Sequence, residues 1–320
     1  MTGFLDLTLG PIIIGAFFTV FFFGITCMQT INYLKQYPND ILLIKCTVIL
    51  LWILQLAYTA CICQGAYTLS VTDFGQILDL LYTPWGLNLG VIVGSLIDHG
   101  VQAFFVARIY KATGALYLSI FLWIIVALLQ AVSLKLAAEA IISDSIPIVG
   151  QTQRWLLTLL FFGDATLDII NACVLCFYLK VKSRSAFHQS TAVVLDRLVV
   201  YTLQTGLGTS MVALAAAISF KVAPQDYFWT MCFMSMPGSF LSALLANINN
   251  RKSLSQGSSV VSSANTNHGL GQGATIQFTR NVVIDPVSTV RSEAEDPNSP
   301  NSIELNKVPA RSGIYSFADV

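Results

Sequence analysis

The chain has 320 residues, 55% of them hydrophobic and only 11% charged, with a formal net charge of zero. Soluble domains carry about 25% charged residues and nucleic-acid binders carry a basic excess, so this composition excludes an ordinary soluble fold and nucleic acid as the main partner. The charge deficit lies before Arg251, where lipid rather than water must be the solvent.

A helix needs about 20 mostly apolar residues to cross a hydrocarbon core of about 30 Å. Seven stretches meet that length, at about 10–34, 40–65, 86–110, 114–142, 154–180, 195–221 and 226–249. Met1–Leu9 has no basic region and carries Asp6, so the first stretch is expected to remain as a span rather than be cleaved as a signal peptide. Tyr37-Pro38-Asn39-Asp40 reads as the turn into the second span. Lys45 stands near the start of that span, where its stem can snorkel. In the third span Gly86, Gly90 and Gly94 recur every four residues, which lets another helix come close. The same span carries Asn88, Ser95, His99 and Gln102 at spacings of 7, 4 and 3, one helical stripe, with Asp98 beside it. The fifth span carries Asp164, Asp168 and Asn171 at spacings of 4 and 3, again one stripe. Ser183–Thr191 reads as a polar loop, within a basic 180–197 connection. In the sixth span Gly206 and Gly208 are candidates for close helix contact. The seventh carries a small-residue stripe of Ser235, Ser239, Ser242, Ala246 and Asn249, which favours packing.

Beyond Arg251 the composition turns to Ser, Asn, Gly and Thr. Such a segment buries too little apolar surface to offset its chain entropy, so residues 253–320 are expected to form a disordered tail. Lys35, Arg108, Lys111, Lys180, Lys182, Arg184, Arg197, Arg251 and Lys252 fall on one side of this topology, against Lys135, Arg154 and Lys221 on the other. Positive residues stay cytoplasmic, which places the N-terminus outside and the C-terminus inside. The fold class expected is therefore all-α, a seven-transmembrane-helix bundle with a cytoplasmic tail.

Ionisable groups inside a span are costly and face the bundle interior or water. Asp98, His99, Gln102, Asp164, Asp168 and Asn171 are therefore the candidate polar cavity. They would bind a cation or polar ligand, or pass protons. The competing reading makes them interhelical hydrogen-bond partners, each contributing about 0.6 kcal/mol on average. Asp164 lies near the outer end of its helix, where a short water-filled vestibule would reach it. No nucleophile elbow, Walker motif, dinucleotide fingerprint or zinc motif is present, so no enzyme, cofactor or metal is expected. The seven cysteines fall inside spans as small apolar packing residues.

Several motifs together resemble a large fungal family, mainly basidiomycete, of seven-helix membrane proteins of unknown function. They are Gln102-Ala103-Phe104-Phe105-Val106-Ala107-Arg108-Ile109-Tyr110, the run Leu198–Ser210, and Leu244-Leu245-Ala246-Asn247-Ile248-Asn249-Asn250-Arg251. The likeness covers about residues 5–255 and implies a fold and a membrane, with no established activity. That family tends to have an acid and a histidine in the second span, where Gln55 and Tyr58 stand here. A proton-handling role built on that pair is not expected.

The function expected is receptor-like or sensory, with a polar cavity between the third, fifth and sixth spans. A small ligand would bind there, and the 180–197 connection and tail would meet cytosolic partners. The alternatives are a small-solute or ion transporter using Asp98, Asp164 and Asp168, and a membrane scaffold without a ligand. The oligomeric state and the particular membrane are not fixed by these residues.

Overall fold

In hydrocarbon an unpaired backbone N–H or C=O costs several kcal/mol, so each apolar run must close its hydrogen bonds within itself as a helix. The computed structural model describes residues 2–76, 82–143, 145, 150, 152–184, 189–223 and 226–251, without the side chains of 2–6, 182, 184, 189–198 and 201–205. Among these residues the long helices are α1 (Thr2–Gln36), α2 (Leu42–Tyr67), α3 (Trp85–Thr113), α4 (Leu116–Ser143), α5 (Arg154–Arg184), α6 (Gln189–Val222) and α7 (Phe228–Asn249). Six segments are long and apolar enough to cross a membrane: Leu7–Gln36, Leu42–Thr72, Trp85–Thr113, Leu116–Ser143, Arg154–Val181 and Phe228–Asn249. In α6 the described apolar part is the shorter Gly206–Val222. The chain has the build of a multi-pass membrane protein.

Two connections differ from the sequence reading. The second helix does not stop near 65. One π-helical turn, Thr68–Thr72, extends it. Within the polar loop expected over 183–191 the described residues are helical, because α5 runs on to Arg184 and α6 begins at Gln189. No proline or glycine interrupts 180–197, and Lys, Arg, Leu and Ala propagate a helix readily once it is under way. The expected tail, 253–320, lies outside the described residues. Between α3 and α4 the chain turns within two residues. Gly114 adopts a left-handed φ of 67° and donates its N–H to Tyr110 at 2.8 Å, closing the end of α3.

α3 is the hub. It packs against α2, α4, α5 and α7, while α7 packs against α1, α6 and α3. The burial of their apolar windows agrees: 56% in α3 and 61% in α7 lie inside the protein, against 33% in α1 and 28% in α4. The outer helices turn their large side chains to the surroundings, as Phe17, Phe21, Trp123 and Leu128 do. An exposed aromatic stripe of this kind is stable in lipid.

The basic end of the bundle, where α1 and α7 finish, is tied by polar side chains. The Arg251 guanidinium donates to Asp40 at 2.5 Å and lies 4.6 Å over the Tyr37 ring. The Tyr33 hydroxyl donates to the same carboxylate at 2.9 Å. The Tyr37 hydroxyl donates to the Asn249 carbonyl at 3.1 Å, and the Asn249 amide donates to the Gln29 carbonyl at 2.9 Å. Nearby, Arg108 of α3 donates to the Asn247 side-chain oxygen at 2.5 Å. Lys45 donates to the Pro38 carbonyl across the same turn. At the opposite end the Tyr227 N–H donates to the Leu7 carbonyl at 3.0 Å, joining the starts of α7 and α1.

Candidate functional site

The half of the bundle away from the basic end encloses a cavity of about 100 Å³. It is lined from α2, α3, α4, α5 and α7, and Thr83 stands just before α3 at its rim. Along α3 the lining runs from Leu87 to His99, a rise of about 18 Å. The walls are mainly apolar, with Ile62, Val91, Leu136, Leu157 and Phe233 among them. The ionisable side chains Asp98, His99 and Asp164 gather at the deep end with Ser95 and Ser133, while Thr83, Asn88 and Thr230 stand further up. The cavity is therefore a greasy shaft with a polar floor about midway along the bundle.

Four local features hold this shape. First, the glycines of α3 let α2 come close. A Cβ on Gly86 would lie 2.7 Å from the Cys61 carbonyl, and one on Gly94 would lie 2.9 Å from the Tyr58 ring. Second, Pro237 interrupts α7 by removing a backbone donor to Phe233, four residues back. Next to that gap, the Met234 carbonyl accepts hydroxyls from Thr19 of α1 at 2.9 Å and Tyr58 of α2 at 3.0 Å. Third, an aromatic cluster stands behind the wall. Phe161 lies 6.2 Å from Trp229 and 6.0 Å from Phe233, and Phe220 of α6 lies 5.4 Å from Trp229, measured between ring centres. Fourth, Gln130 of α4 donates to the Ser95 hydroxyl at 3.2 Å, fixing the floor from the far side.

The floor has its own proton logic. His99 Nδ1 lies 2.8 Å from the Ser95 carbonyl, which can only accept, so Nδ1 carries a hydrogen. A neutral ring would then aim an Nε2 lone pair at Asp164 Oδ1, 3.5 Å away. Two lone pairs repel, so one proton belongs to the His99–Asp164 pair, on one partner or the other. The Gln102 amide donates to the same Asp164 oxygen at 3.2 Å. Asp98 Oδ1 is buried with no hydrogen-bond partner among the described residues. Asp164 and Asp168 both lie close enough to Asp98 to repel it.

The six sequence candidates therefore divide. Asp98, His99 and Asp164 line the cavity. Gln102 is fully buried below them and touches the cavity only through Asp164. Asp168 and Asn171 lie deeper along α5, outside the lining, with Thr209 of α6 hydrogen-bonded to Asp168. Neither amide atom of Asn171 has a hydrogen-bond partner among the described residues. The expectation of a cavity between the third, fifth and sixth helices needs correction, because no described residue of α6 lines it. Phe220 instead packs behind Trp229 and Phe161, so α6 buttresses the wall from outside.

The packing candidates divide as well. Gly86, Gly90 and Gly94 face α2, and a Cβ on Gly206 would lie 2.8 Å from the Ala172 Cβ. A Cβ on Gly208 would meet nothing within 4 Å, so no close approach depends on it. Ser235 and Ser239 are buried and donate to the Cys232 and Met236 carbonyls of their own helix at 2.7 and 2.8 Å, while Ser242 is partly buried. Sequence reasoning missed Tyr58, Gln130 and Ser133. The signal was available for the last two, since an amide and a hydroxyl three residues on stand together in the middle of the fourth span. None of the seven cysteines forms a disulfide. Among the described residues no three metal-ligating side chains come together to hold a metal ion.

A protein-family profile described as a family of unknown function (DUF6534) matches residues 164–253. That agrees with the resemblance to a family of unknown function. The matched part holds Asp164, Asp168 and the closing Leu244–Arg251 motif, and leaves out Asp98 and His99 on α3. No curated protein matches the chain, and no solved structure matches it.

Proposed function

We propose that this chain is a seven-span membrane protein that works as a receptor-like binder of a small, largely apolar molecule. Its N-terminus is outside and its C-terminus cytoplasmic, with a disordered tail following Arg251. The observation that carries this reading is the one-ended cavity. Apolar walls lead from the less basic end to a floor of Asp98, His99 and Asp164. Below that floor the bundle is closed by fully buried side chains, Val101, Gln102, Val106 and Ile109. Among the described residues no open way leads onward from the floor, which suits sensing better than passage. The basic-end contact between α3 and α7 is the natural place for binding to be read out, because these two helices also line the cavity. Cytosolic partners would meet the helical ends near 180–197 and the tail.

A second reading is favoured by one observation. Asp164, Asp168 and Asn171 continue along α5 past the floor, a polar trail of about 10 Å that a transporter could use. The two readings are separated in reconstituted vesicles. Receptor-like action predicts thermal stabilisation of the protein by small amphiphiles with no flux of them. Flux that Asp168→Asn abolishes would overturn it in favour of transport.

A further inference from the structure

The cavity lining sets one carboxylate, Asp98, among neutral polar side chains that include Asn88, Thr83 and Ser133. Asp98 is 5% exposed, and its Oδ1 has no hydrogen-bond partner among the described residues. Beside it, the Tyr58 hydroxyl has committed its proton to the Met234 carbonyl at 3.0 Å, leaving only lone pairs for a ligand. Further up the shaft the buried Asn88 Oδ1 is another acceptor with no partner. No Lys or Arg lines the cavity, and the one basic ring at the floor, His99, is already turned to Asp164. The walls present aromatic faces from Tyr58, Trp229 and Phe233, whose quadrupoles attract cations.

We propose that the Asp98 floor of this cavity binds the ammonium head of a small monoamine whose apolar body fills the shaft toward Thr83. This rests on the ligand-binding reading above and narrows it to a chemical class. An ionised carboxylate held away from water without a cation is strongly disfavoured. An organic ammonium meets both needs at once. It supplies the missing charge and N–H donors to Asp98 and Tyr58, and its hydrocarbon part replaces water along apolar walls. A bare metal ion fits poorly, because the described residues do not converge three metal-ligating side chains on one point. An anionic head would face Asp98 and Asp164 and be repelled.

The test uses the full chain in nanodiscs of zwitterionic lipid at pH 7, titrated with hexylamine, hexanol and hexanoic acid, and with benzylamine and benzyl alcohol. The readout is the half-saturating concentration for thermal stabilisation. Each amine should bind about 10- to 100-fold tighter than its alcohol, the range for a hydrogen bond to a charged group. Asp98→Asn should erase that preference while leaving the alcohol's affinity within about threefold. If Asp98→Asn does not fold, the amine-to-alcohol ratio on the unaltered protein decides alone. Equal binding of amine and alcohol, or tightest binding by the acid, overturns the amine proposal and leaves ligand binding standing. No binding by any of the five overturns both.

Discussion

Asp40, in the turn after α1, has a largely buried side chain with three restraints: two nitrogens of Arg251, the Tyr33 hydroxyl and its own turn. Burial alone would push its carboxyl up, but the Arg251 guanidinium and the Tyr33 hydroxyl outweigh that and hold it below the usual carboxylate range. A group whose folded pKa is depressed stabilises the fold above its ordinary pKa, here about 4, and loses that contribution as pH falls through the lower folded value. The side chain of Arg251 is 31% exposed, so the pair is worth only about 1 kcal/mol after solvent screening. Asp40→Asn should therefore lower the melting temperature at pH 7 by about 2–4 °C. The gap to the unaltered protein should close below about pH 4. A gap that persists unchanged at pH 3 would show that the carboxylate charge is not what Asp40 contributes. Asp98 is the opposite case, a buried carboxylate whose Oδ1 has no hydrogen-bond partner among the described residues.

At the scale of elements, the contact between α2 and α3 decides where the cavity can be. The two helices meet over Gly86, Gly90 and Gly94, and the backbones there are too close for side chains. Gly86 is the tightest. A Cβ there would lie 2.1 Å from Gln64 Oε1 and 2.7 Å from a backbone carbonyl, and a backbone carbonyl cannot swing aside. Gly86→Val should cost about 1–3 kcal/mol and widen the helix pair, lowering thermal stability in detergent. Gly208→Ala should change stability by less than about 0.5 kcal/mol, since the new methyl meets nothing. Equal melting of both variants would mean that α2 and α3 are not held at this distance. Glycines inside a span thus have different consequences in α3 and α6. Spacing reveals a face on which approach is possible, and only the neighbour decides whether approach occurs.

For the whole molecule, the cavity and the charge asymmetry make one joint statement. The cavity lies in the half of the bundle away from Lys35, Arg108, Lys180 and Arg251, so in the proposed orientation it sits on the outer side. A single cysteine at Thr83, in a protein otherwise cleared of cysteine, should react with a membrane-impermeant maleimide added to intact cells. A cysteine replacing Lys111, near the basic end, should react only after permeabilisation. The reversed pattern would turn the protein over in the membrane and make the cavity an inward-facing one. The position of α3 links the cavity to the basic end of the bundle. One helix carries Asp98 and His99 in its upper half and Arg108, bonded to α7, near its lower end.

The sequence by itself determined the solvent, the helices and the list of ionisable groups that must turn inward. Hydrophobic length and the cost of bare backbone in lipid leave few alternatives, so every long helix covers its expected span to within a few residues, except that α1 and α6 begin earlier and α2 and α5 run on past their expected ends. It also marked Asp98, His99 and Asp164, because a titratable group in a span is conspicuous against Leu, Ile and Phe. What the tertiary structure alone decided is which of these groups share a space. Asp168 and Asn171 sit on the same stripe as Asp164 yet lie outside the cavity, and α6 stands behind the wall rather than in it. Tyr58 joined the floor because Gly94 lets α2 approach. Periodicity fixes the face a residue occupies on its own helix. The packing of side chains between helices, with distances of a few ångströms set by glycines and a proline, fixes what that face meets.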